Sequence, residues 1–119
     1  MGKQTLSAFY CSQLAVLSKD SLSDNMKKAD RLFLYGYETG KEFLEAVVSK
    51  KIKPEEYRKN TPMIFLWIIQ DGQSTDFMLG RLFEWSLSEA GEKAPNSYKD
   101  KGFGASQIFH NKNCSLVGR

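Results

Sequence analysis

The sequence predicts an all-α fold, a compact helical bundle of about five helices forming one domain over residues 1–119. Three observations predict it. Apolar residues recur at three- and four-residue spacing along successive stretches, which is the period of an amphipathic helix. Proline, glycine and hydroxyl residues stand where those stretches begin and end. No run alternates apolar and polar residues between tight-turn dipeptides, as paired strands would require. With 119 residues, 41% hydrophobic and 13% aromatic, the chain can fill the core of a single domain.

The first helix is expected from about Ser7 to Lys19, with Phe9, Leu14, Val16 and Leu17 toward the core. Residues Ser21 to Asn25 are rich in capping side chains and read as a loop. A long second helix follows from Asp24 to about Lys50, its stripe formed by Leu32, Tyr35, Phe43, Leu44, Val47 and Val48. Gly36 and Gly40 fall in the same stripe, four apart, and two small residues on one face admit a closely packed neighbour helix. Pro54 suits the first turn of a short segment through Tyr57 and Arg58. Thr61-Pro62 then reads as a cap and a first-turn proline opening a buried helix, Met63 to Gln70. A buried strand is the competing reading of so apolar a run, and the proline start favours helix.

That helix should stop at Asp71-Gly72, because glycine tolerates the positive φ of a C′ position. Ser74 caps the next helix, and Asp76 places a negative charge in its first turn, where the macrodipole favours it. This helix is expected from Thr75 to about Ala90, with Leu79, Leu82, Phe83 and Leu87 toward the core and Gly91 as its stop. Gly80, Arg81 and Glu84 lie on its other faces. An interior glycine costs about 1 kcal/mol relative to alanine, so Gly80 marks a close approach, here by a partner chain. A turn at Ala94 to Ser97 leads to a last element from about Gly104 to Asn113, with Ala105, Ile108 and Phe109 inward.

The chain carries two cysteines, Cys11 and Cys114, one near each end. An even count so placed fits one staple joining the ends in an oxidising compartment. The competing reading is two free, partly buried thiols in a reducing cytoplasm.

Composition and motifs narrow the function. A net charge of +3 is mild, and the basic cluster Lys50, Lys51, Lys53, Arg58 and Lys59 is interrupted by Glu55 and Glu56. It lacks the aromatic interleaving of a nucleic-acid interface and reads as a solvated linker, with a basic rim of a binding surface as the alternative. The longest apolar run, seven residues, is far short of the roughly 20 that span a membrane. No export leader is visible after Met1-Gly2, and the expectation is a mature form whose leader has been removed.

Gly36 to Glu42 only superficially matches a phosphate-binding loop: the glycines are one residue too close, Glu42 replaces the magnesium-binding hydroxyl, and the pattern is helical. His110 with Cys114 lacks any sign of a lowered thiol pKa or an oxyanion hole. Gly72-Gln73-Ser74-Thr75-Asp76 lacks the second glycine of a nucleophile elbow, so Ser74 reads as a cap. One histidine and two distant cysteines are too few ligands for a metal, and Asp71 and Asp76 each have a helix-terminus explanation. Catalysis, cofactor and metal are therefore not expected. Binding remains: Tyr35, Tyr37, Phe65, Trp67, Phe77, Phe83 and Trp85 are more aromatics than so small a core must take, and aromatics and arginine are enriched at interfaces.

Phe43-Leu44 and Val47 on the glycine-bearing helix, Pro62 before an apolar helix, the run Asp76-Phe77-x-Leu79-Gly80-Arg81 and the terminal Asn113-Cys114-Ser115-Leu116 resemble the type VI secretion amidase immunity proteins. The resemblance covers roughly Asp24 to Leu116. It implies a small, exported, all-helical periplasmic protein that binds a papain-like cysteine amidase and obstructs its catalytic cleft. It also implies a homodimer holding two toxin molecules as a heterotetramer, no cofactor and no catalytic residue. The terminal cysteines would be oxidised in that compartment. Under this reading Asp71, Gly72, Gln73, Ser74, Thr75, Asp76 and Phe77 touch the toxin. Gly80 and Arg81 hold the preceding loop in shape by close packing and an anchored charge.

Two other functions compete. A periplasmic helical chaperone of the acid-stress type would also be small and stapled by one disulfide, but should be carboxylate-rich, and this chain has 14 acidic residues against 17 basic ones. A cytoplasmic helical adaptor would keep both thiols reduced.

Overall fold

A computed structural model of the chain describes residues 2–18, 22–59, 61–70, 74–93 and 102–118. The fold is all-α: α1 (Gly2–Leu17), α2 (Leu22–Val48), α3 (Pro54–Tyr57), α4 (Met63–Gln70), α5 (Thr75–Lys93), α6 (Phe103–Asn111) and a closing 3₁₀ turn at Cys114–Leu116. The molecule measures 45 × 25 × 23 Å, and its long dimension follows α2, whose 27 residues rise about 40 Å. No described helix is long and apolar enough to cross a membrane.

The centre of the bundle is α1, which packs against α2, α5, α6 and the 3₁₀ turn. It is buried on several sides, with Thr5, Leu6, Ala8, Phe9, Ser12 and Leu14 all inside. Many of those side chains are small or polar, so a search for a one-sided apolar stripe underestimates the helix. The expected start at Ser7 is accordingly five residues late. Gly2 lies against Thr61, Pro62 and Phe65, and Thr5 bonds hydroxyl to hydroxyl with Thr39 at 3.0 Å. Those tertiary contacts hold the first turn, which has no sequence signal of its own.

Helices α1 and α2 run antiparallel at close range. The ladder passes from Thr5 against Thr39, through Phe9 against Phe33 at 5.7 Å, to the Ser12 hydroxyl donating to the Ala29 carbonyl at 2.9 Å. It ends where the Asn25 amide donates to the Ser18 carbonyl at 2.9 Å. Gly36 and Gly40 permit the approach. A Cβ on Gly36 would stand 2.7 Å from the Phe9 ring, and one on Gly40 would stand 2.5 Å from Leu79 and 2.9 Å from Thr5. The segment that superficially matched a phosphate loop is thus helical, and its glycines face α1 and α5.

Two apolar clusters flank α1. One joins Leu6, Phe9, Phe43, Leu44, Phe65, Ile68, Met78, Leu79 and Leu82; the other gathers Leu14, Leu32, Ala90 and Ala105 around the cysteines. Fully burying a side chain such as Phe9, Phe43 or Phe65 contributes about 1.5–3 kcal/mol relative to exposure. Cys11 and Cys114 are joined by a disulfide, 103 residues apart in sequence. From the other side Arg31 donates to the Val117 carbonyl at 2.6 Å, and Gly118 rests on the Tyr35 ring at a φ of 78° that favours glycine. The C-terminal segment is therefore fixed to both α1 and α2.

Other boundaries shift for local reasons. The loop expected at Ser21 to Asn25 is replaced from Leu22 onward by α2, whose Asn25 side chain is buried. The end of α2 is a Schellman turn: Lys51 N–H donates to the Ala46 carbonyl and Lys50 N–H to that of Val47, with Lys50 left-handed at φ 62°. Pro62 precedes α4 rather than opening it, its carbonyl accepting from Phe65 and Leu66. Gly91 does not stop α5, which continues to Lys93. The turn expected at Ala94 to Ser97 lies outside the described residues.

A candidate partner-binding surface at the start of α5

Helix α5 begins as its capping residues dictate. The Ser74 hydroxyl accepts from the Phe77 N–H at 3.3 Å, and the Ser74 carbonyl takes the first intrahelical bond from Met78 at 3.0 Å. Ser74 is therefore the N-cap. Asp76 stands in the first turn, where the helix dipole favours it, and its carboxylate accepts the Tyr37 hydroxyl at 2.6 Å. The bond ties α5 to the middle of α2. It also holds the Tyr37 phenol above its ordinary pKa, chiefly because the hydrogen bond to Asp76 is lost on ionisation, with desolvation and the charges of Asp76 and Glu45 adding to it.

Below this contact the α2–α5 seam is aromatic. Phe33 meets Phe83 edge to face at 5.0 Å and stacks with Tyr37 at 6.3 Å, while buried Phe9 meets Phe83 edge to face at 5.4 Å. Such pairs add about 0.5–1.5 kcal/mol each beyond the area they bury.

Of the residues expected to meet a partner, Ser74, Asp76 and Phe77 are exposed and Thr75 half-buried. Phe77 is 52% exposed. Asp71, Gly72 and Gln73 lie outside the described residues. Phe77, Arg81 and Trp85 follow at four-residue intervals, so they share one face of α5. The expected buried helix Met63 to Gln70 is only half buried. Phe65 and Ile68 are in the core, but Met63 and Trp67, four apart on the opposite side, are 62% and 61% exposed. The neighbours of this eight-residue helix, reached through Phe65 and Ile68, cover one side of it, and the other stays in water however apolar its sequence.

Among the described residues a Cβ on Gly80 would have nothing within 4 Å, so the close packing expected of it is not with them. Tyr37–Asp76 ties α5 to α2 at this end. Leu87, expected inside, is 50% exposed, and Ser86 takes the buried position, bonded to the Leu82 carbonyl at 3.0 Å. Sequence reasoning also missed exposed Leu34 and half-exposed Phe33, whose signal was two large apolar residues directly after buried Leu32.

Both cysteines are consumed in the disulfide, so His110, exposed on α6, has no thiol beside it. Among the described residues no group of three or more His, Cys, Asp and Glu converges on a possible metal position. Lys50, Lys51, Lys53, Arg58 and Lys59 are all exposed, as a solvated linker requires. Compared with protein-family models, curated proteins and solved structures, the chain matches none of them.

Proposed function

We propose that this protein is a periplasmic inhibitor that binds a secreted peptidoglycan amidase of the papain-like class and occludes its active-site cleft with the Asp71–Phe77 junction. The observation that carries the reading is apolar exposure on the two helices that flank that junction. Phe77 on α5 and Trp67 and Met63 on α4 leave more than half of their surface in water, which contributes nothing to the fold. Gly80 supports it too: an interior glycine that no neighbour requires is accounted for by close approach of another chain. The disulfide suits an oxidising compartment. In this reading two copies pair and hold two toxin molecules.

The test is titration of such an amidase with the protein while peptidoglycan cleavage is followed. Trp67→Ala and Phe77→Ala should each weaken inhibition by roughly 30-fold or more, as central aromatic anchors do, with helix content unchanged. Full inhibition by both variants would reject the site. Absence of inhibition by the unaltered protein would reject the function. The chaperone reading has the scattered exposure of Val48, Phe103 and Leu116 in its favour, and it predicts suppression of client aggregation at acid pH.

A further inference from the structure

Beside the disulfide, α1, α5 and the C-terminal segment line an open pocket of about 420 Å³, within the range of small-ligand sites. Its lining includes Leu6, Tyr10, Trp85, Glu89, Lys112 and Val117. Leu6, Val117 and the indole of Trp85 make an apolar bed, and Cys11 contributes the edge of the disulfide. The polar groups are few and opposed in charge, with one carboxylate on α5 and one ammonium just beyond α6. Neither charge is engaged in an ion pair among the described residues; the Lys112 ammonium stands over the Tyr10 ring, 5.4 Å from its centroid.

Tyr10 is part of this wall, but its hydroxyl is buried behind the lining, with no hydrogen-bond partner among the described residues, and burial, with the Glu89 charge second, holds the phenol above its ordinary pKa.

We propose that this cavity binds a small zwitterion with apolar side chains, of amino-acid to dipeptide size. Its ammonium group faces Glu89, its carboxylate faces Lys112, and its apolar body rests on Trp85, Leu6 and Val117. A purely anionic ligand would meet Glu89, and a purely cationic one Lys112, so the charge pattern selects a molecule bearing both. Lys112 and Val117 flank Cys114, and the disulfide therefore holds one wall of the site against α1. The assignment is independent of the amidase reading.

The experiment uses the Trp67→Phe variant, in which Trp85 is the one remaining tryptophan. Its emission is followed while the dipeptide Leu-Phe is added, and then the same peptide acetylated at its amine and amidated at its carboxylate. The expected result is a saturable change with free Leu-Phe. Glu89→Gln, Lys112→Gln and the doubly capped peptide should each weaken it by roughly 10–100-fold, the effect of losing a charge-assisted hydrogen bond. No saturable change with Leu-Phe up to about 10 mM, weaker than almost any specific site, overturns the assignment. So does equal binding of the capped peptide, or unaltered binding by both charge variants.

Discussion

Two glycine-bearing helix faces of this molecule differ in what lies against them. On α2, Gly36 and Gly40 face α1 and its neighbours, so closely that an added Cβ would collide with Phe9, Leu79 or Thr5. On α5, Gly80 faces open space among the described residues, between exposed Phe77 and half-buried Phe83. Each of the three glycines lowers helix propensity by the same amount, about 1 kcal/mol. On α2 the cost is offset by helix–helix contact within the chain. On α5 nothing in the described chain offsets it. An unrepaid local cost beside exposed aromatics is the mark of a surface shaped for something outside the fold.

The comparison can be broken at several points. The largest effect is expected at the disulfide that fixes the C-terminal segment to the α1 side. Replacing Cys11 and Cys114 together by alanine should lower stability by about 4–5 kcal/mol through the released loop entropy, measured by urea unfolding. A loss under about 1 kcal/mol would show that the Arg31 and Tyr35 contacts suffice to hold the C-terminal segment. Next in size, Gly36→Val forces Phe9 out of a fully buried site and should cost roughly 2–3 kcal/mol, read as a fall in the thermal midpoint. An unchanged midpoint would mean that α1 and α2 are not held at the observed distance.

Gly80→Ala should do the reverse, stabilising the protein by up to about 1 kcal/mol while weakening amidase inhibition, since the methyl group has room in the free chain but not under a partner. Destabilisation by this change would contradict the open face. The smallest effect concerns Tyr37. Asp76→Asn removes the carboxylate that keeps the phenol protonated, so its pKa should fall toward 10, as followed by ultraviolet absorbance titration. A folded pKa above the unfolded value stabilises the protein below the unfolded pKa, and that contribution is lost as pH rises through the folded one. Wild type should thus lose this contribution only in strongly alkaline solution, and the variant should lack it throughout.

Much of this was legible in the residues. The Ser74 cap and the Asp76 position follow from local chemistry that acts over one helical turn. Tyr37–Asp76 was not legible, because the two residues are 39 apart and neither has a pattern that demands the other. The first turn of α1 escaped for the opposite reason. Its residues are ordinary, and their helicity comes from what α2 and the Thr61–Phe65 stretch place against them. The exposure of Trp67 and Met63 was hidden by hydrophobicity itself, since an apolar run states a preference for burial without saying how many neighbours supply it.

By itself the sequence determined the all-α class, the capped start of α5 and the availability of two cysteines at opposite ends. These depend on interactions between residues a few positions apart, or on simple count. Only the tertiary structure decided which glycines are packed and which are open, that α1 is the central helix, and which apolar residues stay in water. It also brought Tyr10, Trp85, Glu89 and Lys112 around one cavity. Those outcomes depend on which helix lies against which, and that is set by the sum of many contacts between residues far apart in the chain.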